Sequence, residues 1–240
     1  MLQNWRSYLA ELLGTMFLMI LAVGTAIFSQ DFVATGLAFG LALIAIIYVI
    51  GPISGGHVNP AVSLAFLLKR KLSLKDFGFY VVAQFIGAAL GGLMLFGLIH
   101  MAGGVPASID MGYMGSQFYS GLGGSGYAWG IIAGLLVEIV LTFVFVLAII
   151  AFVRKEELKK FAPILIGLVL VLVHFVGMNL TGTSVNPARS FGSAIFGGTT
   201  ALQQVWVFLV GPMIGGALAA LASMFIFCEK KEAPATVEQK

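Results

Sequence analysis

Two copies of Asn-Pro-Ala, at 59–61 and 186–188, are the residues here most able to do chemistry. Asparagine caps orphan backbone N–H groups, and proline suits a first helical turn because it has no N–H to leave unpaired. Each copy therefore reads as a helix start. The residues that follow, 61–68 and 188–196, allow only about two turns each. A helix N-terminus carries roughly half a positive charge. Two such ends meeting at one point would offer N–H donors to a passing molecule and repel a cation. Arg189, His174, Glu11 and Glu138 are the other candidates. The two glutamates look like a catalytic pair, but no nucleophile and base share a site with them, so an enzyme is not expected. The glycine-rich stretch 115–126 is followed by no Gly-Lys-Ser/Thr and is not a phosphate loop. A single cysteine, Cys228, excludes an intrachain disulfide and a thiolate metal site.

The elements that must hold these residues are apolar. Of 240 residues, 60% are hydrophobic and 10% charged, against roughly a quarter charged in a soluble domain. That composition points to an integral membrane protein. Charge-free runs of about 20 residues mark spans. They are expected at about 12–30, 32–50, 78–101, 128–152, 161–179 and 203–227. Two broken stretches remain, one running from about 51 into the first Asn-Pro-Ala and one at 179–198, each too short or too interrupted to cross. The first run is expected to be retained as a span, since no small-residue cleavage site follows it. Basic residues favour the cytoplasmic side. With the N-terminus inside, all 13 except Arg189 fall in cytoplasmic segments. The net charge of +3 is then topology and does not imply nucleic acid.

The chain also repeats itself. The segment 54–63, Ser-Gly-Gly-His-Val-Asn-Pro-Ala-Val-Ser, aligns at an offset of 127 with 181–190, Thr-Gly-Thr-Ser-Val-Asn-Pro-Ala-Arg-Ser. The same offset pairs Glu11 with Glu138, Thr15 with Thr142 and Gly40 with Gly167, and an offset of 128 aligns 83–90 with 211–218. Three spans per half make the halves enter from opposite faces, an inverted repeat of the kind found in transporters. One domain is expected, with repeat 1 at about 5–101, an outer connection at about 102–127, repeat 2 at about 128–228 and a cytoplasmic tail at 229–240.

Non-helical backbone at membrane depth must be buried in protein or line a wet cavity. Gly55, Gly56, His57 and Val58 are therefore expected to present carbonyl acceptors along a path, with Asn59 and Asn186 as donors at its midpoint. A guanidinium inside the membrane is costly, so Arg189 is expected to face a cavity, as a fixed charge that repels cations. A lone membrane histidine or an apolar-span Phe is more often a packing residue. The repeat-related Glu11 and Glu138 are expected to accept hydrogen bonds from the unwound backbone.

These paired motifs make the chain resemble the major intrinsic protein family, the aquaporins, over about residues 5–228. The resemblance implies an all-α fold of six transmembrane helices and two re-entrant half-helices in a right-handed bundle. Asn59, Pro60, Ala61, Asn186, Pro187 and Ala188 would form the pore midpoint, and Phe39, His174, Thr183 and Arg189 the selectivity constriction. It implies a passive water channel without a cofactor, in a homotetramer with one pore per subunit, in a bacterial inner membrane. Ser193 and Ala194 match the water-type pattern. Leu209, where many water-specific members have Trp, leaves a facilitator of glycerol or another small uncharged solute as the alternative. Pro52 stands where many relatives have His, so a gating role for that His does not transfer.

Overall fold

The computed structural model describes residues 4–101 and 127–227, and every regular element among them is helical. The expected outer connection up to residue 126, Cys228 and the tail lie outside the described residues. The chain begins with α1 (Trp5–Leu18), a π-helical turn (Met19–Val23) and α2 (Gly24–Ser29), which together make one 25-residue span. After it come α3 (Phe32–Ser54), α4 (Pro60–Leu68), α5 (Leu74–Met101), α6 (Tyr127–Arg154), α7 (Ala162–Gly177), α8 (Pro187–Ala194) and α9 (Gly198–Ile226).

Five stretches among the described residues are long and apolar enough to cross a membrane. The 23 residues of α3, the shortest of them, span about 35 Å, more than the roughly 30 Å of hydrocarbon. The apolar α7 has 16 residues, and the N–H groups of Leu180 and Thr181 extend it by bonding the Gly177 carbonyl. At nine and eight residues, α4 and α8 reach only about 12–14 Å. Neither can cross.

Several helix ends differ from the sequence expectation. α3 runs through Gly51 and Pro52 to Ser54 and stops at Gly55, whose φ is 92°. Pro52 removes one intrahelical hydrogen bond without ending the helix; the left-handed glycine ends it. α5 begins at Leu74 rather than 78, because the Ser73 hydroxyl accepts the Asp76 N–H (3.0 Å) as an N-cap. α9 begins at Gly198 rather than 203, and the first span at Trp5 rather than 12. Hydropathy places ends at charges, whereas helices end where their caps lie.

The repeat is visible in the packing. α1 packs on α5 and α6 on α9, at repeat-related glycines: a side chain at Gly87 would strike the Leu12 carbonyl, and one at Gly215 the Ile139 carbonyl. α3 meets α7 where Gly40 and Gly167 face each other, each leaving no room for a Cβ. Each half-helix packs between the two halves, α4 chiefly on α9 and also on α5, and α8 on both α5 and α9. Large apolar side chains such as Val49 and Leu172 are 71% and 61% exposed on the outside. Such a surface suits lipid and would be a liability in water.

Candidate functional site

The two half-helix starts have matching backbones. Asn59 and Asn186 are extended N-caps, and each is followed by a proline. The Asn59 Oδ1 accepts the Ala61 N–H at 2.8 Å, and the Asn186 Oδ1 accepts those of Ala188 (3.1 Å) and Arg189 (3.3 Å). Both preceding loops visit the left-handed region in the same register. The φ angles are 92° and 78° at Gly55 and Gly182, 63° and 52° at Gly56 and Thr183, and 42° and 44° at Val58 and Val185. For a β-branched valine this is strained backbone, costing about 1–3 kcal/mol and persisting only where surroundings enforce it.

The buried carboxylates supply that enforcement. Glu11 accepts Ser54 Oγ (2.7 Å) and His57 N (2.9 Å) on one oxygen, and Val58 N (2.6 Å) and Gln84 Nε2 (2.8 Å) on the other. Glu138 accepts Thr181 Oγ1 (2.7 Å), Ser184 N (3.0 Å) and Val185 N (2.9 Å). Both glutamates are completely buried. Each holds the N–H groups of the two residues before an Asn-Pro-Ala, at the bend where the chain is most strained. A carboxylate accepting N–H groups in this way binds them more strongly than a neutral acceptor would. Ser54, Thr181 and Gln84 were not picked out from the sequence. The first two were detectable, because the repeat pairs them and both carry a hydroxyl.

The two tips are also tied to each other. Asn59 Nδ2 donates to the Val185 carbonyl (2.7 Å), and Asn186 Nδ2 to the Val58 carbonyl (2.9 Å). This departs from the simplest expectation. One hydrogen of each amide, and one lone pair of Val58, serve the contact between half-helices. The second hydrogen of each amide remains for the cavity that both asparagines line.

That cavity has a volume of about 520 Å³. At one end it is lined by Phe39, His174 and Arg189, and at the other by Tyr48, Lys159 and Lys160. Between them lie Gly55, Gly56, His57 and Val58, with Ser184 and Val185 from the second loop. An apolar wall including Leu43, Ile47, Phe145 and Ile149 completes it. The path thus has a polar side made of loops and an apolar side made of spans.

At the Arg189 end, Phe39 stacks on His174 with centroids 4.3 Å apart, and the Arg189 guanidinium carbon lies 5.2 Å from the Phe39 centroid. His174 Nδ1 is 2.8 Å from the Leu170 carbonyl. A carbonyl only accepts, so Nδ1 carries the hydrogen and Nε2 of the neutral ring is an acceptor. That Nε2, with Arg189 Nε and Nη1, is buried and makes no hydrogen bond to protein. Arg189 is 2% exposed and forms no ion pair among the described residues. Buried donors and an acceptor around one cavity end are what a polar permeant would satisfy. Thr183 is placed differently. It is buried, but its side chain packs against Gly177 and it does not line the cavity. Its left-handed backbone, at a position where the other loop has Gly56, turns the side chain away. Among the described residues, no three His, Cys, Asp or Glu side chains come together as a metal site would need.

Residues 1–223 match the family described as major intrinsic protein. The chain is similar to Aquaporin Z of Brucella melitensis, 40% identical over 88% of this chain and 93% of that protein. It is similar to the glycerol uptake facilitator protein-like 6 of Lactiplantibacillus plantarum, 39% identical over 91% of this chain and 96% of that one. Its fold is similar to the aquaglyceroporin of Plasmodium falciparum, with a TM-score of 0.80 at 24% identity, covering 94% and 97% of the two chains.

Proposed function

We propose that this chain, which belongs to the major intrinsic protein family, forms a passive channel that conducts water down osmotic gradients and excludes ions and protons. It is an integral, multi-pass membrane protein. The observation that carries the reading is one continuous cavity, running from Arg189 and His174 past Asn59 and Asn186. Its polar groups are those a water molecule needs. Water at the outer end accepts from the Arg189 guanidinium and donates to His174 Nε2. At the middle its oxygen accepts from the asparagine amides, where two helix N-termini converge. Hydrogens of a water held there point away from the centre on both sides, so the chain of hydrogen bonds is reversed at the middle and a proton is not relayed. A cation meets the Arg189 charge and two positive helix ends without regaining its hydration.

Phe39, His174 and Arg189 act as the constriction in this reading, with Thr183 contributing through its backbone at most. Glu11 and Glu138 support the loops, and Gly55, Gly56, His57 and Val58 supply acceptors. The whole chain acts as one channel domain built of two repeats, with no cofactor. Both termini lie in the cytoplasm of a bacterial cell, its inner membrane holds the protein, and four copies assemble with one pore each. The second reading is a facilitator for glycerol or a similar uncharged solute. The apolar wall of the cavity and the name of the Lactiplantibacillus plantarum relative favour it.

Stopped-flow light scattering on proteoliposomes separates the two. Fast shrinkage in sucrose, with glycerol entry no faster than in empty liposomes, is the expected result. Fast glycerol entry would make the second reading the better one, and no rise in either flux would overturn both.

A further inference from the structure

Away from Arg189 the cavity is walled by Phe66, Phe145, Ile149, Val153 and Ile166, with Pro163 beside them. Water gains nothing from such a wall, whereas an apolar body is driven onto it. The cavity volume of about 520 Å³ falls among those of small-molecule sites, roughly 300–1,000 Å³. Those sites are mostly apolar and carry a few placed polar groups that fix the orientation of the ligand.

The placed groups at this end are cationic. Lys159 and Lys160 line it, and among the described residues no carboxylate lines any part of the cavity. The Tyr48 hydroxyl, on α3, donates to the Lys160 carbonyl at 2.9 Å and so ties the connection between α6 and α7 to the cavity wall. Lys159 pairs with Glu156 on the same connection, while Lys160 is exposed and forms no ion pair among the described residues. Residues 154–160 hold four basic and two acidic side chains, a net charge of +2. An apolar wall with an ammonium rim complements a molecule that is greasy at one end and anionic at the other.

We propose that this end of the cavity is a binding site for an amphipathic organic anion, an aryl carboxylate or sulfonate, and that the bound anion blocks the channel. The ring lies on Ile149 and Ile166, and the anionic head meets the Lys160 and Lys159 ammonium groups. This rests on the cavity being the water path, entered from the cytoplasm at the lysines. An occupant of the wall then stands in that path, so binding and block are one event. A cation with the same ring would meet the lysines, and a small inorganic anion would leave the wall unused.

Naphthalenesulfonate, which stays ionised and crosses lipid poorly, is the probe, placed on both faces of proteoliposomes so that either protein orientation is reached. Stopped-flow shrinkage is read with and without it, each variant against its own flux and after subtraction of empty liposomes. Wild-type water permeability is expected to fall with probe concentration and level off, and naphthyltrimethylammonium should leave it unchanged. Lys159→Gln with Lys160→Gln should weaken the apparent affinity about twofold to fivefold, the scale of exposed ion pairs. Arginine at both positions should keep it. Val153→Asp, at the partly exposed rim of the wall, should weaken it as well. Absence of inhibition would overturn the proposal, as would equal inhibition by the anion and the cation, or inhibition indifferent to the glutamine substitutions. Absence of water flux in wild type would instead overturn the channel reading. Calorimetric titration of naphthalenesulfonate into the detergent-solubilised protein and its glutamine variant would then judge the site alone, and no heat of binding would remove it.

Discussion

The two ends of the cavity are related by the repeat, yet they differ in chemistry. Moving by 127 residues carries Phe39 to Ile166, and carries Ile47 and Val62 to His174 and Arg189. All six residues line the same cavity. At one end the three are an aromatic ring, an imidazole and a guanidinium. At the other they are two isoleucines and a valine. The backbone beneath them is the same, with left-handed residues in one register and a buried glutamate on each loop. Duplication therefore supplied geometry to both ends, while the aromatic and charged side chains stand at one. A second guanidinium at position 62 would be a second buried charge without a partner, which is expensive.

Substitutions can break this comparison, and the largest effects belong to the shared scaffold. Glu11→Leu strands four donors and Glu138→Leu three, each beside a strained valine. Both should lose about 3–5 kcal/mol and most water flux, with Glu11→Leu the worse, as read by thermal melting in detergent and by proteoliposome shrinkage. Equal losses would mean that the extra Gln84 contact adds nothing to stability. Next comes the filter. Arg189→Val with His174→Ala makes the outer end resemble the inner one, and should raise glycerol entry at least about tenfold, the order expected when paired polar contacts decide between solutes, with protons admitted as well. Retained wild-type selectivity in a pH-dye and glycerol-swelling assay would remove these residues from the constriction.

Smaller effects sharpen the contrast. Ile166→Phe mimics Phe39 at the apolar end without a charge. It should reduce water flux by about twofold through bulk alone, at a cost below roughly 3 kcal/mol for overpacking, and leave glycerol exclusion unchanged. A change in selectivity from this substitution would show that the apolar end also discriminates. Leu209→Trp should have the least effect, lowering only whatever glycerol leak the swelling assay detects in wild type.

Much of this protein is local and so was legible in residue order. Apolar runs announce spans, Asn-Pro announces a helix start, and the isolated Arg189 announces a buried charge that needs a cavity. The repeat could be found because both halves solve the same steric problem with the same residues. Helix ends were less legible, because Pro52 stops nothing while Gly55 does, and the difference lies in backbone angles. The cross-donation from Asn59 to Val185 and from Asn186 to Val58 joins residues 126 and 128 positions apart, and no local pattern encodes it. Thr183 matched by spacing, but a left-handed backbone turned its side chain toward Gly177. Gln84 looked like one more polar residue in a span until folding put it beside Glu11 and Ser63. The sequence by itself determined that the chain lives in a membrane, repeats in inverted fashion and carries two short helices with capped starts, because hydropathy and capping act over a few neighbouring residues. Only the tertiary structure decided which donors meet which acceptors, because a hydrogen bond depends on a few tenths of an ångström between groups that the chain order leaves far apart.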